Sequence, residues 1–251
     1  MKTQQIETID NLVSDNIEAA KILSRHGIDF CTEGSRSLRD ACDEAGISLK
    51  KVQREIFEAE QFRETKPADA SLIEIGALTR YIETYHHQFT VENIVFIKTC
   101  LSRLVLLHGR KYPELAYIKE VFDDLTGLLT VHMQHEEFIV FPYIRQLVKK
   151  GRITRSSIYR SANSPIPGML MDHDKGTGCL RKLKDLTHHF SPPAEGTGFH
   201  ITYKAMAELE QDLTEHLTLE SEVLFPKALA MEIRLSTAHW AHSDASLHPM
   251  N

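Results

Sequence analysis

The chain has 251 residues, a formal net charge of −6 and 42% hydrophobic residues, values that are ordinary for one or two globular domains. The net negative charge does not indicate the basic surface that binds nucleic acid. No apolar run is long enough to span a bilayer, and the amino terminus lacks the apolar core of a signal peptide. We therefore expect a cytoplasmic protein without nucleic-acid or membrane partners.

Two residue types stand out in the composition. The four cysteines show no C-x-x-C spacing, which favours reduced thiols over a disulfide framework; they are Cys31, Cys42, Cys100 and Cys179. Histidine is abundant, with fourteen copies against one tryptophan. The histidines are therefore the first place to look for chemistry.

The first part of the chain, residues 1–62, is predicted to be a small helical domain. The segment IDNLVSDNIEAAKILSRHGI has apolar residues at helical spacing, and Gly27 is expected to end its helix. Ser37 and Ser48 are predicted N-caps of two further short helices. Residues 63–70 are charged and lack large apolar side chains, so we interpret them as a linker.

Residues 71–230 predict long amphipathic helices separated by helix breakers. The breaks fall at 108–114, 149–168 and 191–198. The first predicted helix ends at about residue 108, and the next three begin at 114, at about 166 and at 199. Four long helices with mostly short turns predict an all-α fold, an antiparallel four-helix bundle. The tail, residues 231–251, lacks helical patterning and is expected to be disordered.

One sequence frame, H-x-x-x-E-x-x-[IV]-x-F-P, occurs twice. It covers HMQHEEFIVFP at 132–142 and HLTLESEVLFP at 216–226. The i,i+4 spacing places the histidine and the glutamate of each copy on one helical face. An isolated pair of this kind is common by chance, but a repeat of the whole frame is not.

Each predicted helix has a row of inward-facing apolar residues at spacings of three and four, which we call its seam. A polar residue interrupts each seam at one height along the bundle. The interruptions are His86, His132, His173 and His216, with Glu136 and Glu220 one turn after the second and the fourth. Counting from the turns at 1.5 Å per residue predicts that His86 lies beside His132 and that His173 lies beside His216.

Buried imidazoles and carboxylates at one level would be costly unless cations replaced the lost hydration. Glu136 and Glu220 can each bridge two metal ions, with the four histidines as terminal ligands. This donor set suits iron or manganese and excludes a thiolate zinc site, but it does not assign histidines to individual metals. Asp212, one turn before His216, is a candidate to orient an imidazole from the second shell of groups around the metals.

The remaining histidines are predicted to lie away from this level. His87, His135, His188 and His189 fall off the seams and are expected on solvated faces. The tail residues His239, His242 and His248 are expected to be disordered, with only adventitious metal binding.

These motifs resemble a known family. YH at 85–86, MDHD at 171–174 and both copies of the frame resemble the hemerythrin-like domain of the iron–sulfur cluster repair di-iron proteins, also called the repair-of-iron-centres family. The segment RHGIDFCTEGSRSL resembles the short amino-terminal cysteine-motif domain of that family. The resemblance implies two iron ions in an oxo- and carboxylate-bridged centre, with His86, His132, His173 and His216 as terminal ligands and Glu136 and Glu220 as bridges.

The resemblance also implies a function. Such proteins repair iron–sulfur clusters damaged by nitric oxide or oxidative stress, by iron donation, by nitric oxide chemistry at the di-iron centre, or by both. Whether this amounts to an enzyme, such as a nitric oxide reductase, is left open. The implied partners are damaged iron–sulfur proteins, with nitric oxide or dioxygen as small ligands, and a homodimer is known in the family.

The sequence departs from the family in two places. The paired cysteines of the amino-terminal motif become Cys31-Thr32, followed by Glu33-Gly34. No vicinal dithiol is available, so Cys31 acts alone, as a thiolate or metal-transfer contact, or is inert. Leu128 stands where the family often has an acidic residue one turn before the first histidine of the frame.

Two other functions compete with repair. A hemerythrin-like protein that binds or senses dioxygen or nitric oxide is the main alternative; a dioxygen-carrying hemerythrin has five histidines at its site, against four here. A carboxylate-bridged oxygenase is the third candidate, but it would need more carboxylates and fewer histidines. The cysteine-bearing amino-terminal domain favours repair, since a simple carrier does not need one.

Overall fold

The computed structural model describes residues 8–14, 16–32, 34–62, 69–150 and 166–245. Over these residues the regular secondary structure is helical, and one isolated bridge pairs Thr8 with Ser37. The α-helices are α1 (Ile9–Val13), α2 (Ile17–Arg25), α3 (Leu38–Glu44), α4 (Leu49–Phe62), α5 (Ile75–Tyr81), α6 (Gln88–His108), α7 (Glu114–His135), α8 (Phe141–Lys150), α9 (Ile166–Leu186), α10 (Gly196–Thr218) and α11 (Phe225–Ala245). None of these described helices has the length and apolarity needed to cross a bilayer.

The first of two compact units contains the described residues of Met1–Pro67 together with Glu92–Asp123 and Lys182–Glu210. Its short helices pack as α1 on α2, α2 on α4 and α3 on α4. Ser37 caps α3 by accepting a hydrogen bond from the backbone N–H of Asp40, as predicted, and α4 begins directly after Ser48. Gly27, at φ +75°, supplies the left-handed residue that follows α2, because glycine carries no Cβ to oppose that conformation.

The second unit contains the described residues of Ala68–Val91, Asp124–Arg181 and Gln211–Asn251. In it α5 packs against α8, and α8 packs against α11. Its apolar core consists of Ile75, Leu78, Ile82, Val140, Phe141, Tyr143, Ile144, Leu147, Ile166, Met169, Leu224, Phe225 and Ala228. Full burial of each large side chain contributes roughly 1.5–3 kcal/mol to the stability of the fold. This cluster therefore stabilises the helices that carry the polar residues described below.

The long helices α6, α7, α9 and α10 confirm the predicted all-α bundle. Three predicted boundaries agree with the structure, since α6 ends at His108, α7 begins at Glu114 and α9 begins at Ile166, whereas α10 begins at Gly196, earlier than expected. Ion pairs join successive long helices: Lys98 to Asp123 at 3.1 Å between α6 and α7, and Lys184 to Glu210 at 2.9 Å between α9 and α10.

The predicted disorder of the tail is wrong for residues 231–245, because α11 continues to Ala245. Met231 and Leu235 pack against the core of the second unit, and this apolar burial favours the helix. Residues 246–251, including His248, lie outside the described residues. Most of the predicted linker, at 63–68, also lies outside them, and Ala70–Leu72 forms a 3₁₀ turn.

Among the described residues, three helical stretches widen into π-helix, in which the hydrogen bonds span five residues. They are π1 (Ile82–His87), π2 (Glu136–Val140) and π3 (Leu219–Leu224). The backbone N–H of Phe141 bonds to the carbonyl of Glu136, and the N–H of Phe225 bonds to the carbonyl of Glu220. Each phenylalanine precedes the proline of the repeated frame. Because proline has no N–H and its ring clashes with the carbonyl four residues earlier, the wider turn relieves a conflict in a regular α-helix.

Candidate metal centre

The polar residues that were predicted to interrupt the inward faces of the helices are buried in the second unit. The two frame glutamates, Glu136 and Glu220, are 0% exposed. Four histidines of the frames and their neighbouring helices are also buried: His86, His132, His173 and His216. Because these side chains are buried, they have lost most of their hydration.

The first cluster of metal-binding donors is centred on His132 and His173. Their Nε2 atoms lie 3.2 Å apart. His173 Nε2 is 3.1 Å from Glu220 Oε2, and His132 Nε2 is 3.3 Å from Glu136 Oε1. Two imidazoles and two carboxylates therefore converge here from three parts of the chain.

The second cluster contains the same two glutamates with two other histidines, His87 and His216. His216 Nε2 lies 3.0 Å from Glu220 Oε1, and His87 Nε2 lies 3.4 Å from Glu136 Oε2. Within each cluster the four donor atoms lie within 4.8 Å of one another. Because Glu136 and Glu220 belong to both clusters, each carboxylate can contribute one oxygen to each of two ions.

The ring contacts join the histidines in other pairs than those predicted, although His173 and His216 both contact Glu220. His132 has the ring of His173 as its neighbour, at 4.8 Å between centroids, and His216 has the rings of His86 and His87, at 5.4 and 5.0 Å. Counting residues from a turn fixes the height of a side chain along the bundle. It does not determine which of two adjacent helices the side chain faces.

His87 is buried, with 2% of its surface exposed, so its predicted position on a solvated face is also wrong. Its Nδ1 lies 2.7 Å from Glu137 Oε1, and its ring stacks on Phe141 at 5.7 Å between centroids. The widened turn π1 contains both His86 and His87, whereas the seam assumed an unbroken α-helical period.

His86 is buried beside the second cluster but is not one of its donors. Its Nδ1 lies 3.1 Å from Asp212 Oδ1. The rings of Tyr81 and Tyr85 flank it edge-on, at 5.4 and 5.1 Å. Asp212, expected to orient an imidazole, therefore contacts His86, although its sequence spacing pointed to His216.

Two further partners of the imidazoles, Glu137 and Ser221, were not predicted from the sequence. Ser221 Oγ lies 3.1 Å from His173 Nδ1, as Glu137 lies against His87 Nδ1. Each of these residues directly follows the glutamate of a frame copy, and that position can be recognised in the sequence. The histidine that each one contacts could not be predicted from spacing, because that histidine lies on another helix.

The charges of this cluster shift the pKa values of its members. Burial alone would raise the pKa of Glu220, but the charge of His216 and the close imidazoles of His132, His173 and His216 hold it well below its usual range. Burial opposes protonation of His132, yet the nearby carboxylates of Glu136 and Glu220 raise its pKa to about 10. Burial likewise opposes protonation of His87, while Glu136 raises its pKa.

Within the described part of the chain, several buried donor atoms have no hydrogen-bond partner, and this tests whether the residues fit a metal. They include both Oε atoms of Glu136, Oε2 of Glu220 and Nε2 of His86 and His87. Leaving such atoms unsatisfied in an apolar interior costs on the order of 1–3 kcal/mol each. Cations at the two clusters would satisfy the carboxylate oxygens directly. The donor set of the two clusters, imidazoles and carboxylates without a thiolate, suits iron.

The remaining predicted histidines do not join the centre. His188 and His189 are exposed, as predicted, and His135 is half-buried. The segment with His239 and His242 is helical.

Cys31, the candidate thiol, lies in the first unit as a free, half-buried cysteine. It lines a cavity of about 580 Å³ together with Asp29, Cys100 and Arg103. Burial and the charge of Asp29 raise the pKa of Cys31 to about 12, against an opposing effect of Arg103. The thiol is therefore neutral at physiological pH, and a thiolate contact is not favoured in this state.

Comparisons with known proteins agree with this geometry. The model of the hemerythrin HHE cation binding domain matches residues 77–228. The model ScdA_N, described as a domain of unknown function (DUF542), matches residues 5–60.

Several curated relatives match most of the chain. The iron–sulfur cluster repair protein ScdA of Staphylococcus haemolyticus is 24% identical over 87% of this chain and 96% of its own. A probable iron–sulfur cluster repair protein of Haemophilus influenzae is 26% identical over 84% of this chain and 91% of its own. The iron–sulfur cluster repair protein YtfE of Escherichia coli is 29% identical over 85% of this chain and 92% of its own. The chain thus belongs to the hemerythrin HHE cation-binding family, with an ScdA_N domain ahead of the bundle.

Proposed function

We propose that this chain is a non-haem di-iron protein that repairs damaged iron–sulfur clusters. The observation that carries the proposal is the sharing of Glu136 and Glu220 by two clusters of buried imidazoles. A single ion would need only one such cluster. Two carboxylates common to both clusters are what a pair of bridged ions requires.

The protein's own residues would bind and orient the metal pair. His132 and His173 would hold one ion and His216 the other, each through Nε2, with the glutamates as bridges. Ser221 would keep the ring of His173 in place through Nδ1, a contact that fixes the tautomer and raises the basicity of a ligand. When bound, iron at this site would supply metal for cluster rebuilding and a redox centre able to react with nitric oxide.

Repair is favoured over simple binding by two observations. Relatives matching more than four-fifths of this chain are named iron–sulfur cluster repair proteins. The match includes the amino-terminal domain, which binding of a small ligand at the bundle would not require. The substrates would then be cytoplasmic iron–sulfur proteins damaged by nitric oxide or oxidants.

The test is recovery of a damaged cluster enzyme. A dehydratase whose [4Fe–4S] cluster has been destroyed by nitric oxide is incubated with the iron-loaded protein, and its activity is followed. We expect recovery with the wild type and with His200→Gln, an exposed histidine of α10 used as the matched control. Glu220→Gln, which removes a bridging charge, should restore little activity. Equal recovery with free ferrous iron alone would contradict the proposal.

A second candidate is a hemerythrin-like carrier or sensor of dioxygen or nitric oxide. One observation favours it: the site buries five histidines, His86, His87, His132, His173 and His216, where the seams predicted four. Reversible dioxygen binding by the iron-loaded protein, without recovery of the damaged enzyme, would support this candidate and contradict repair.

A further inference from the structure

Tyr81 lies against one of the buried histidines of the second unit, and its hydroxyl oxygen is enclosed. The ring of Tyr81 meets the ring of His86 edge-on, at 5.4 Å between centroids and 89° between the planes. The Oη atom of Tyr81 is buried and has no hydrogen-bond partner among the described residues. Because an enclosed hydroxyl without a hydrogen bond is costly, an acceptor for this group is expected close by.

Asp212 has an oxygen in the same situation, next to the same histidine. Its Oδ1 lies 3.1 Å from Nδ1 of His86. Its Oδ2 is buried, and within the described part of the chain no group donates a hydrogen bond to it. An ionised carboxylate accepts hydrogen bonds at both oxygens, and a buried carboxylate that is only half satisfied is costly. An unsatisfied hydroxyl and an unsatisfied carboxylate oxygen therefore lie around His86.

The electrostatics of Tyr81 fit a hydrogen-bond donor to this carboxylate. Burial raises the pKa of Tyr81 to about 12, with contributions from the charges of Tyr85 and Asp212. A further acidic neighbour, Glu215, acts in the same direction. The phenol therefore keeps its proton at physiological pH. Glu215 is half-buried and open to water, whereas Oδ2 of Asp212 is not, so Asp212 is the acceptor that gains more from the phenol.

The imidazole that Asp212 contacts lies beside the candidate metal centre. The ring of His86 stacks on that of His216, at 5.4 Å and 13°, and His216 belongs to the second donor cluster. Nε2 of His86 is buried and receives no hydrogen bond from any described residue, which leaves it available to a cation. A carboxylate that accepts the Nδ1 hydrogen of a histidine fixes the tautomer in which Nε2 is the metal-binding nitrogen.

We propose that the hydroxyl of Tyr81 donates a hydrogen bond to Oδ2 of Asp212, directly or through one water molecule, and so positions His86 for the metal pair. Tyr81 is thus a positioning residue, which acts on the ions only through Asp212 and His86. This inference rests on the proposed metal pair. Without the hydroxyl, the carboxylate of Asp212 can rotate, and the orientation and tautomer of His86 are less well fixed.

The test is a double-mutant cycle of Tyr81→Phe and Asp212→Asn, which nearly preserve the shapes of the two side chains. Ferrous iron affinity is measured without oxygen by competition with a chelator, and Tyr117→Phe, an exposed tyrosine of α7, is the matched control. We expect Tyr117→Phe to bind iron as the wild type does and Tyr81→Phe to bind it roughly tenfold more weakly. In the Asp212→Asn background, Tyr81→Phe should have no further effect, because the two residues act as one unit.

Proton NMR of the metal-free proteins gives a readout that does not require iron. The Nδ1 proton of His86 should exchange slowly with solvent in the wild type. Tyr81→Phe should shift this signal and speed its exchange, and Glu215→Gln should leave it unchanged. Circular dichroism checks that each variant folds.

Four results overturn the inference: an unchanged iron affinity in Tyr81→Phe, an unchanged Nδ1 signal in that variant, additive losses in the double variant, or the same signal change in Glu215→Gln. If Asp212→Asn does not fold, the affinity and the Nδ1 signal of Tyr81→Phe decide. A wild type that shows the Tyr81-dependent signal but binds no iron pair would instead refute the proposed function and leave the hydrogen bond in place.

Discussion

The backbone N–H of Phe225 is hydrogen-bonded to the carbonyl of Glu220, five residues earlier, so this buried glutamate lies on a π-helical turn. The first frame copy repeats the arrangement with Phe141 and Glu136. The proline after each phenylalanine prevents an ordinary α-helical bond at that point. The frame therefore encodes both the donors and the local helix geometry that presents them.

Pro226→Ala tests whether the frame proline sets this geometry. Alanine restores an N–H and favours a regular α-helix, so we expect the metal-free variant to be more stable than the wild type, by about 1 kcal/mol or more. The same change should turn Glu220 away from the centre and weaken iron binding roughly tenfold. Thermal unfolding and competition with a ferrous chelator measure the two effects; a variant with unchanged iron affinity would show that the wide turn is not required.

The stability of the metal-free protein should depend on pH through His132. Its pKa is raised to about 10 in the folded chain, above the unfolded value of about 6.5. The stabilisation is fully present below the unfolded pKa and is lost as pH rises through the folded one. We therefore expect the melting temperature of the metal-free protein to fall by several degrees between pH 7 and pH 10. His132→Gln should reduce this dependence and leave only the smaller part that comes from His87, whose pKa is also raised; an unchanged slope in that variant would contradict the assignment to His132.

Binding of iron should release protons at neutral pH. Metal ligands must be deprotonated, and His132 carries a proton in the metal-free fold at pH 7 because of its raised pKa. Calorimetric titration with ferrous iron in two buffers of different ionisation enthalpy gives the number of protons released. We expect about one or more per chain; identical heats in the two buffers would mean that the imidazole is already neutral.

The thiol of Cys31 should react slowly in the native protein. With a pKa raised to about 12, its thiolate fraction is small at pH 7.5, since the thiolate is the nucleophile. Iodoacetamide labelling followed by peptide mass spectrometry should modify Cys31 much more slowly in the folded chain than in urea. Cys31→Ser should retain two irons per chain. Rapid native labelling would instead show that the cavity lowers the pKa of this thiol.

The fold and most of the donors could be predicted from the sequence because their causes are local. Apolar periodicity and helix breakers predicted the positions of α6, α7 and α9. The i,i+4 spacing of the frame placed His132 with Glu136, and His216 with Glu220, on one helical face, where each pair is in contact. Ser37 could be predicted as an N-cap because its hydroxyl accepts a hydrogen bond from a backbone N–H only three residues later in the chain.

What the sequence could not predict depends on contacts between helices and on departures from regular geometry. The burial of His87 and the shift at π1 break the α-helical period on which the seams were based. The pairing of His132 with His173, and of Asp212 with His86, depends on how neighbouring helices rotate about their axes. The proline of the frame was visible, but its effect on the helix became clear only with the hydrogen bonds of Phe141 and Phe225.

The central claim, that Glu136 and Glu220 join two ions, is tested most directly by counting iron and its magnetic coupling. The wild type loaded with ferrous iron under anaerobic conditions, then oxidised by one electron, should contain two irons per chain and give the EPR signal of a coupled mixed-valence pair. Glu136→Gln and Glu220→Gln should each lose that signal. One iron per chain, or two irons without magnetic coupling in the wild type, would contradict the claim.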